Sequence, residues 1–257
     1  MRISTNTIYQ TGIARIGELT ASQVKLQQQI ATGRKILTPS DDPVGSARAL
    51  QIKQADNINT QYSNNRQVAI RNLGAEETVL NSVTDVLLSV KSTMVSAGNA
   101  SYSDAERSFL AMDVRAALDQ LIGLANTKDG EGNYIFSGYQ SQTPPFVKTA
   151  TGATYQGDSQ QRVLQVSASR QMEVAHTGNS VFAAGGNDIF QALSDLAALL
   201  DTPITDDASA AAFSAGLATA QGSLDTGLDN ILATRAMVGT RLNELDALEE
   251  FGQELKL

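Results

Sequence analysis

The stretch Thr32–Leu50, TGRKILTPSDDPVGSARAL, decides how the chain is read. It closes one heptad-patterned segment and opens another, so it reads as the bend of a helical hairpin. Gly33 and Pro39 interrupt the first segment, since glycine raises the entropic cost of helix and proline lacks a backbone donor. Asp42-Pro43 restarts it: aspartate at the N-cap accepts from free backbone N–H groups, and proline at the next position has its φ already set. Asp41 and Asp42 are both expected at the positive end of the new helix dipole. A counterpart of the bend is expected near the other end, at Thr234–Leu248, TRAMVGTRLNELDAL.

Upstream of the bend, Tyr9, Ile16, Gln23, Ile30 and Leu37 share one heptad position, and Gly12, Leu19, Leu26 and Gly33 its partner. Gln23 and the glycines weaken this stripe, so the helix is marginal until something covers it. Met1–Asn6, before it, is polar and expected to be unanchored. Downstream, Pro43–Ala97 reads as one long helix. Leu73, Leu80, Leu87 and Met94 recur every seventh residue, with Val83, Val90 and Ala97 offset by three. Such a helix would reach about 80 Å, so an elongated molecule is expected.

Gly98-Asn99 ends that helix, and Ser103-Asp104-Ala105-Glu106 is a capping box that starts the next one. Leu110, Val114, Ala117, Leu121 and Leu124 mark its face, and an antiparallel return along the first long helix is the expected packing. From Asp129 to Phe182 helical periodicity stops. Tyr134-Ile135-Phe136 reads as a strand, Gln156-Gly157-Asp158 as a turn. Leu164, Val166 and Ala168, then Met172, Val174 and His176, alternate with polar residues as on two strands. Asn187–Asp201 resumes helix. The final helix, from about Ala208, carries Leu217, Leu224, Ile231, Val238 and Leu245 at one heptad position, with Leu228 and Leu242 beside it. The frame runs on past Leu245 without a stop signal, which suggests a longer natural chain and a monomer in the chain as given. The fold class is mainly α: a long-helix bundle or coiled coil carrying a small β-rich insert. Its expected domains are 1–42 (N-terminal coiled-coil helix and bend), 43–128 with 183–257 (bundle core) and 129–182 (surface insert).

Composition narrows the function. The net charge of −8 argues against nucleic acid and anionic membrane as partners. No cysteine means no disulfide, no thiol nucleophile and no cysteine-ligated zinc. Aromatics are only 5% of residues, which suits narrow helical stripes better than a thick core around a pocket. Met1–Ile16 has no apolar run or cleavage site of a signal peptide, and no stretch is long and apolar enough to span a bilayer.

Candidate chemistry is sparse. His176 is the only histidine, on an alternating strand, and no Ser-His-Asp set assembles around it. Asp129-x-Glu131-x-Asn133 begins like a calcium loop, but Tyr134 stands where glycine is needed. Gly185-Gly186 lacks any following phosphate-binding pattern. Helix capping accounts for Asp41-Asp42 without a cation. An enzyme, a metal site and a cofactor are therefore not expected.

Two stretches, GRKILTPSDDP at Gly33–Pro43 and TRAMVGTRLNELDAL at Thr234–Leu248, resemble the bacterial flagellin family. The second holds the family's C-terminal pattern at Arg235, Gly239, Asn243 and Leu245. Within the family, the opening MRISTNTIY, the Thr38–Pro43 bend and the insert's Tyr134–Tyr139 with Thr143–Phe146 are similar to the hook–filament junction branch rather than to filament flagellins. The resemblance implies a structural axial subunit that joins hook to filament, exported to the cell exterior without a cleaved signal. It implies an inner coiled-coil layer and an exposed β insert. Its partners would be copies of itself, the neighbouring hook-side junction protein, flagellin and an export chaperone. Interface positions would be Ile16, Leu19, Leu26 and Ile30, with Gly33, Pro39, Asp41, Asp42 and Pro43 setting the bend. The C-terminal family helix, a natural chaperone site, would offer Leu228, Ile231, Arg235, Val238, Gly239, Leu242, Asn243 and Leu245. A filament flagellin and a secreted helical surface-binding protein are the alternatives.

Overall fold

The computed structural model describes residues 5–99 and 101–254; Met1–Ser4 of the polar opening, and the last three residues, lie outside them. The described chain divides into two units, residues 1–60 and residues 61–257.

The first unit holds α1 (Thr5–Thr32), the bend, and the opening turns of α2 (Pro43–Ala97). Helix α1 stops where Gly33 takes φ +65°, a left-handed conformation that costs glycine nothing and a side chain about a kilocalorie or more. The heptad frame therefore ends at Thr32, and Leu37 lies beyond the helix in the bend. Helix α2 starts and ends where capping and glycine place it.

The second unit is a helix core with two hairpins. It contains the rest of α2, α3 (Asp104–Ala125), α5 (Ile189–Leu200) and α6 (Asp207–Glu254), with the short α4 (Gly178–Phe182). The Ser103–Glu106 capping box forms in both directions and sets the start of α3. Asp188 caps α5 by accepting from the N–H groups of Phe190 and Gln191. Leu80, Val83, Leu87, Val90 and Met94 of α2 meet Val114, Leu118 and Leu121 of α3, Leu193, Leu196 and Leu200 of α5, and Leu224 and Ile231 of α6 in one apolar core. Helix α3 shares this core with α2, but the helix it packs along is α5 and not α2: Arg115, in mid-helix, pairs with Asp201 at the C-cap of α5, and the Ile204 N–H in the loop after α5 donates to Asp104 at the start of α3.

The non-helical region departs from the sequence expectation at several places. Tyr134 makes only an isolated bridge to Lys128, and Ile135 and Phe136 lie in a turn, not a strand. Both are nonetheless buried, because Phe136 stacks edge-on against Phe182, which also meets Phe146 and Phe190. An unforeseen hairpin, β1 (Phe146–Thr149) with β2 (Gly152–Tyr155), brings Phe146 into that aromatic cluster. Burial pushes the Tyr155 phenol up to about 12, and its hydroxyl donates to the Phe136 and Asp158 carbonyls. The second hairpin, β3 (Val163–Ser167) with β4 (Arg170–Glu173), is the alternating pair seen in the sequence but shorter, since Val174 and His176 lie past the end of β4. It packs Val166 and Met172, with Val174 just beyond, against Ala69 and Leu73 of α2 and Val238 and Leu245 of α6, forming a second core. Ala168 falls in its turn and is exposed.

Candidate assembly surfaces

In the first unit, α1 buries nothing of its apolar stripe. Ile16 is 67% exposed, Leu19 70%, Leu26 57% and Ile30 81%, and Ile8, Tyr9 and Ile13 are equally bare. Burying one such side chain contributes about 1.5–3 kcal/mol, and a helix of this length without packing is marginal in water. The stripe is thus a set of unmade contacts on a regular helix.

The bend that follows is held by side chains. The Asp42 carboxylate accepts from the Gly45 N–H at 2.8 Å and its carbonyl from the Ser46 N–H, as an N-cap does. Gly45 is needed for this, because a Cβ there would lie 2.4 Å from an Asp42 oxygen. Asp41 behaves differently from the sequence expectation. Its carboxylate turns away from the start of α2, accepts from the Leu37 and Thr38 N–H groups, and pairs with Lys25 of α1 at 2.8 Å. The loop offers unsatisfied N–H donors and a cation nearer than the helix end. The Lys25 hydrogen bond and the backbone donors hold the Asp41 carboxyl down at about 2. Pro39 sits exposed in the turn between Leu37 and Asp41. Gln29 closes the corner by donating to the Lys35 carbonyl at 2.6 Å.

In the second unit, the Thr234–Leu248 stretch is unbroken helix inside α6, so no second bend exists there. Helix α6 runs antiparallel to α2, as three ion pairs record: Arg66–Glu249 at 2.7 Å, Glu77–Arg235 at 2.8 Å and Lys91–Asp225 at 2.6 Å. Burial would raise the Glu249 carboxyl, but hydrogen bonds from Arg66 and Ser63 outweigh it and hold it below the usual range. Leu228, Ile231, Val238 and Leu245 are buried, Leu242 packs at the edge of the second core, Gly239 is half-buried and Asn243 is exposed. The apolar face of this helix is therefore occupied within the folded subunit.

Residues 100 apart, which no local spacing connects, meet in the interior. Glu76, fully buried on α2, accepts from His176 Nδ1 at 2.7 Å. His176 Nε2 faces Arg241 Nη1 at 3.2 Å, and Arg241 also donates to the Glu173 carbonyl and pairs with its carboxylate. A guanidinium only donates, so Nε2 is placed to accept from Arg241 and Nδ1 to donate to Glu76. This joins α2, the segment after β4, and α6 into one polar knot. Among the described residues no group of His, Asp or Glu is arranged to hold a metal ion, and no helix there is long and apolar enough to cross a membrane.

Residues 3–141 match the family model described as the bacterial flagellin N-terminal helical region. The chain is 35% identical to the flagellar hook-associated protein 3 of Escherichia coli over 271 aligned residues, covering 100% of this chain and 85% of that protein. The same identity and coverage hold for the flagellar hook-associated protein 3 of Salmonella typhimurium. Among solved structures, a flagellar hook-associated protein from Vibrio parahaemolyticus superposes with a TM-score of 0.77 at 25% identity, over 85% of this chain and 96% of that one. The flagellar hook-associated protein 3 of Legionella pneumophila shares the fold, with a TM-score of 0.76 at 22% identity, over 80% of this chain and 95% of that one.

Proposed function

Because the chain belongs to the bacterial flagellin family, we propose that it works as a structural axial subunit of the flagellum, joining the hook to the flagellin filament. The likeness to hook-associated protein 3 along the whole chain favours the junction over the filament. The observation that carries the assembly reading is α1, a regular helix whose apolar stripe (Ile16, Leu19, Leu26, Ile30) meets nothing in the subunit. A row of large apolar side chains left bare on a regular helix marks an interaction surface. Neighbouring subunits supply the missing faces, and a contact that propagates around an axis joins unlike surfaces.

The finer reading follows from the same features. The bend residues fix where α1 leaves α2, so they set the direction of the interface helix. The subunit acts by contact and not by turnover; its partners are further copies, a hook-side junction protein and flagellin. A chaperone that reads Leu228, Ile231, Val238 and Leu245 binds α6 before the subunit folds, since folding buries that face.

Immunogold electron microscopy on intact flagella, with an antibody to this chain, tests the reading. A single band of label where hook meets filament is expected. Label along the filament would make the chain a flagellin, and absence of label from flagella would remove the axial role.

A further inference from the structure

Helix α3 is apolar on two sides. Ala111, Val114, Leu118 and Leu121 face the core, yet Phe109 is 65% exposed and Met112 60% on the opposite side. Ala105 and Ala116 lie on the same outward stripe. A helix with two apolar faces is one that becomes covered on both. Beside this stripe stands Asp113, exposed and without an ion pair among the described residues.

The bend offers the complementary chemistry. Arg34 and Lys35 are adjacent and exposed, form no ion pair among the described residues, and precede the half-buried Ile36 and Leu37. Charge separates along the chain in the same sense. Residues 1–60 hold seven Lys or Arg against four Asp or Glu, a net +3, whereas residues 61–257 hold twelve against twenty-three, a net −11. In the second unit most cations are already committed within the subunit, in pairs such as Arg66–Glu249, Arg115–Asp201 and Arg170–Glu244. Its carboxylates outnumber its cations by eleven, so most of the surplus has no cation within the unit.

We propose that the outer face of α3 is a docking surface for the Arg34–Lys35 bend of a second copy of this chain. Phe109 and Met112 supply the apolar seat, Asp113 and the acidic surroundings attract the two cations, and the contact joins unlike surfaces, as a ring of copies requires. The proposal rests on the reading that copies of the chain assemble side by side in the junction.

The chain lacks cysteine, so introduced thiols report cleanly. Flagella are isolated from cells carrying the double variant Lys35→Cys/Met112→Cys and treated with a short bis-maleimide. A ladder of covalent dimers and longer species is expected, absent from each single variant and from Lys35→Cys/Ala218→Cys. Incorporation without a ladder overturns the docking surface and leaves the junction role standing, as does a linked species that migrates as one chain. Should the cysteine pair fail to enter flagella, the charge pair decides. Lys35→Glu is expected to lower incorporation several-fold, and Asp113→Lys in the same chain to restore it; no restoration overturns the proposal. Absence of the unaltered chain from flagella overturns both readings.

Discussion

Asp41 shows how one carboxylate is assigned by its nearest donors and not by its place in a motif. Beside Asp42 at the start of α2, it reads as a second dipole partner. In the folded bend the loop N–H groups of Leu37 and Thr38 and the Lys25 ammonium claim it instead. Its carboxyl is lowered from 3.8 to about 2 in the folded chain. A lowered folded value means that its contribution is complete above 3.8 and fades as pH falls toward 2. Asp41→Asn is expected to speed hydrogen exchange at the Leu37 and Thr38 amides at neutral pH. The difference from the unaltered chain should shrink as pH falls through that window. Equal exchange in both chains at neutral pH would mean that the bend is held by the Asp42 cap alone. The Asp42 cap was legible because it closes on an N–H three residues on; the Asp41 ion pair was not, because Lys25 lies sixteen residues away.

At the scale of elements, the helices follow from local sequence, and the ties between them do not. Proline after aspartate, the capping box and the heptads define α2, α3 and α6 almost to the residue. The Tyr134–Phe136 segment was misread because a run of bulky residues suits a strand and a buried turn alike. Its burial is decided by Phe146, Phe182 and Phe190, which arrive from elsewhere in the chain. The Glu76–His176–Arg241 knot is a tie of the same kind, holding the end of the second hairpin to two helices. Glu76→Ala leaves the His176 Nδ1–H and backbone N–H buried without their acceptor, and is expected to cost about 1–3 kcal/mol. A shift of the urea midpoint measures it. A change below about 1 kcal/mol would show that water replaces the carboxylate readily.

On the scale of the whole molecule, the two units obey different economies of burial. Residues 61–257 bury two apolar cores, and residues 1–60 bury almost nothing. Cooperative stability therefore belongs to the second unit, and the first leaves its apolar side chains exposed. Ile16→Ser with Ile30→Ser is expected to leave the urea midpoint unchanged while abolishing incorporation into flagella, read by immunoblot of sheared filaments with hooks attached. A lowered midpoint would place these side chains in the subunit's own core, and normal incorporation would remove them from the interface.

The sequence by itself determined where helices begin and stop, which face of each is apolar, and which family the bend and the C-terminal helix resemble. Those properties depend on residues within a turn or a heptad of one another, so spacing reports them. Only the tertiary structure decided that α6 is occupied while α1 is bare, although both carry heptad stripes. The difference is whether a stripe finds a partner inside the chain: Ile231 and Val238 do, Ile16 and Ile30 do not. It also decided that α3 has a second, outward stripe at Phe109 and Met112, because a periodic pattern states which residues share a face but not which face the core takes.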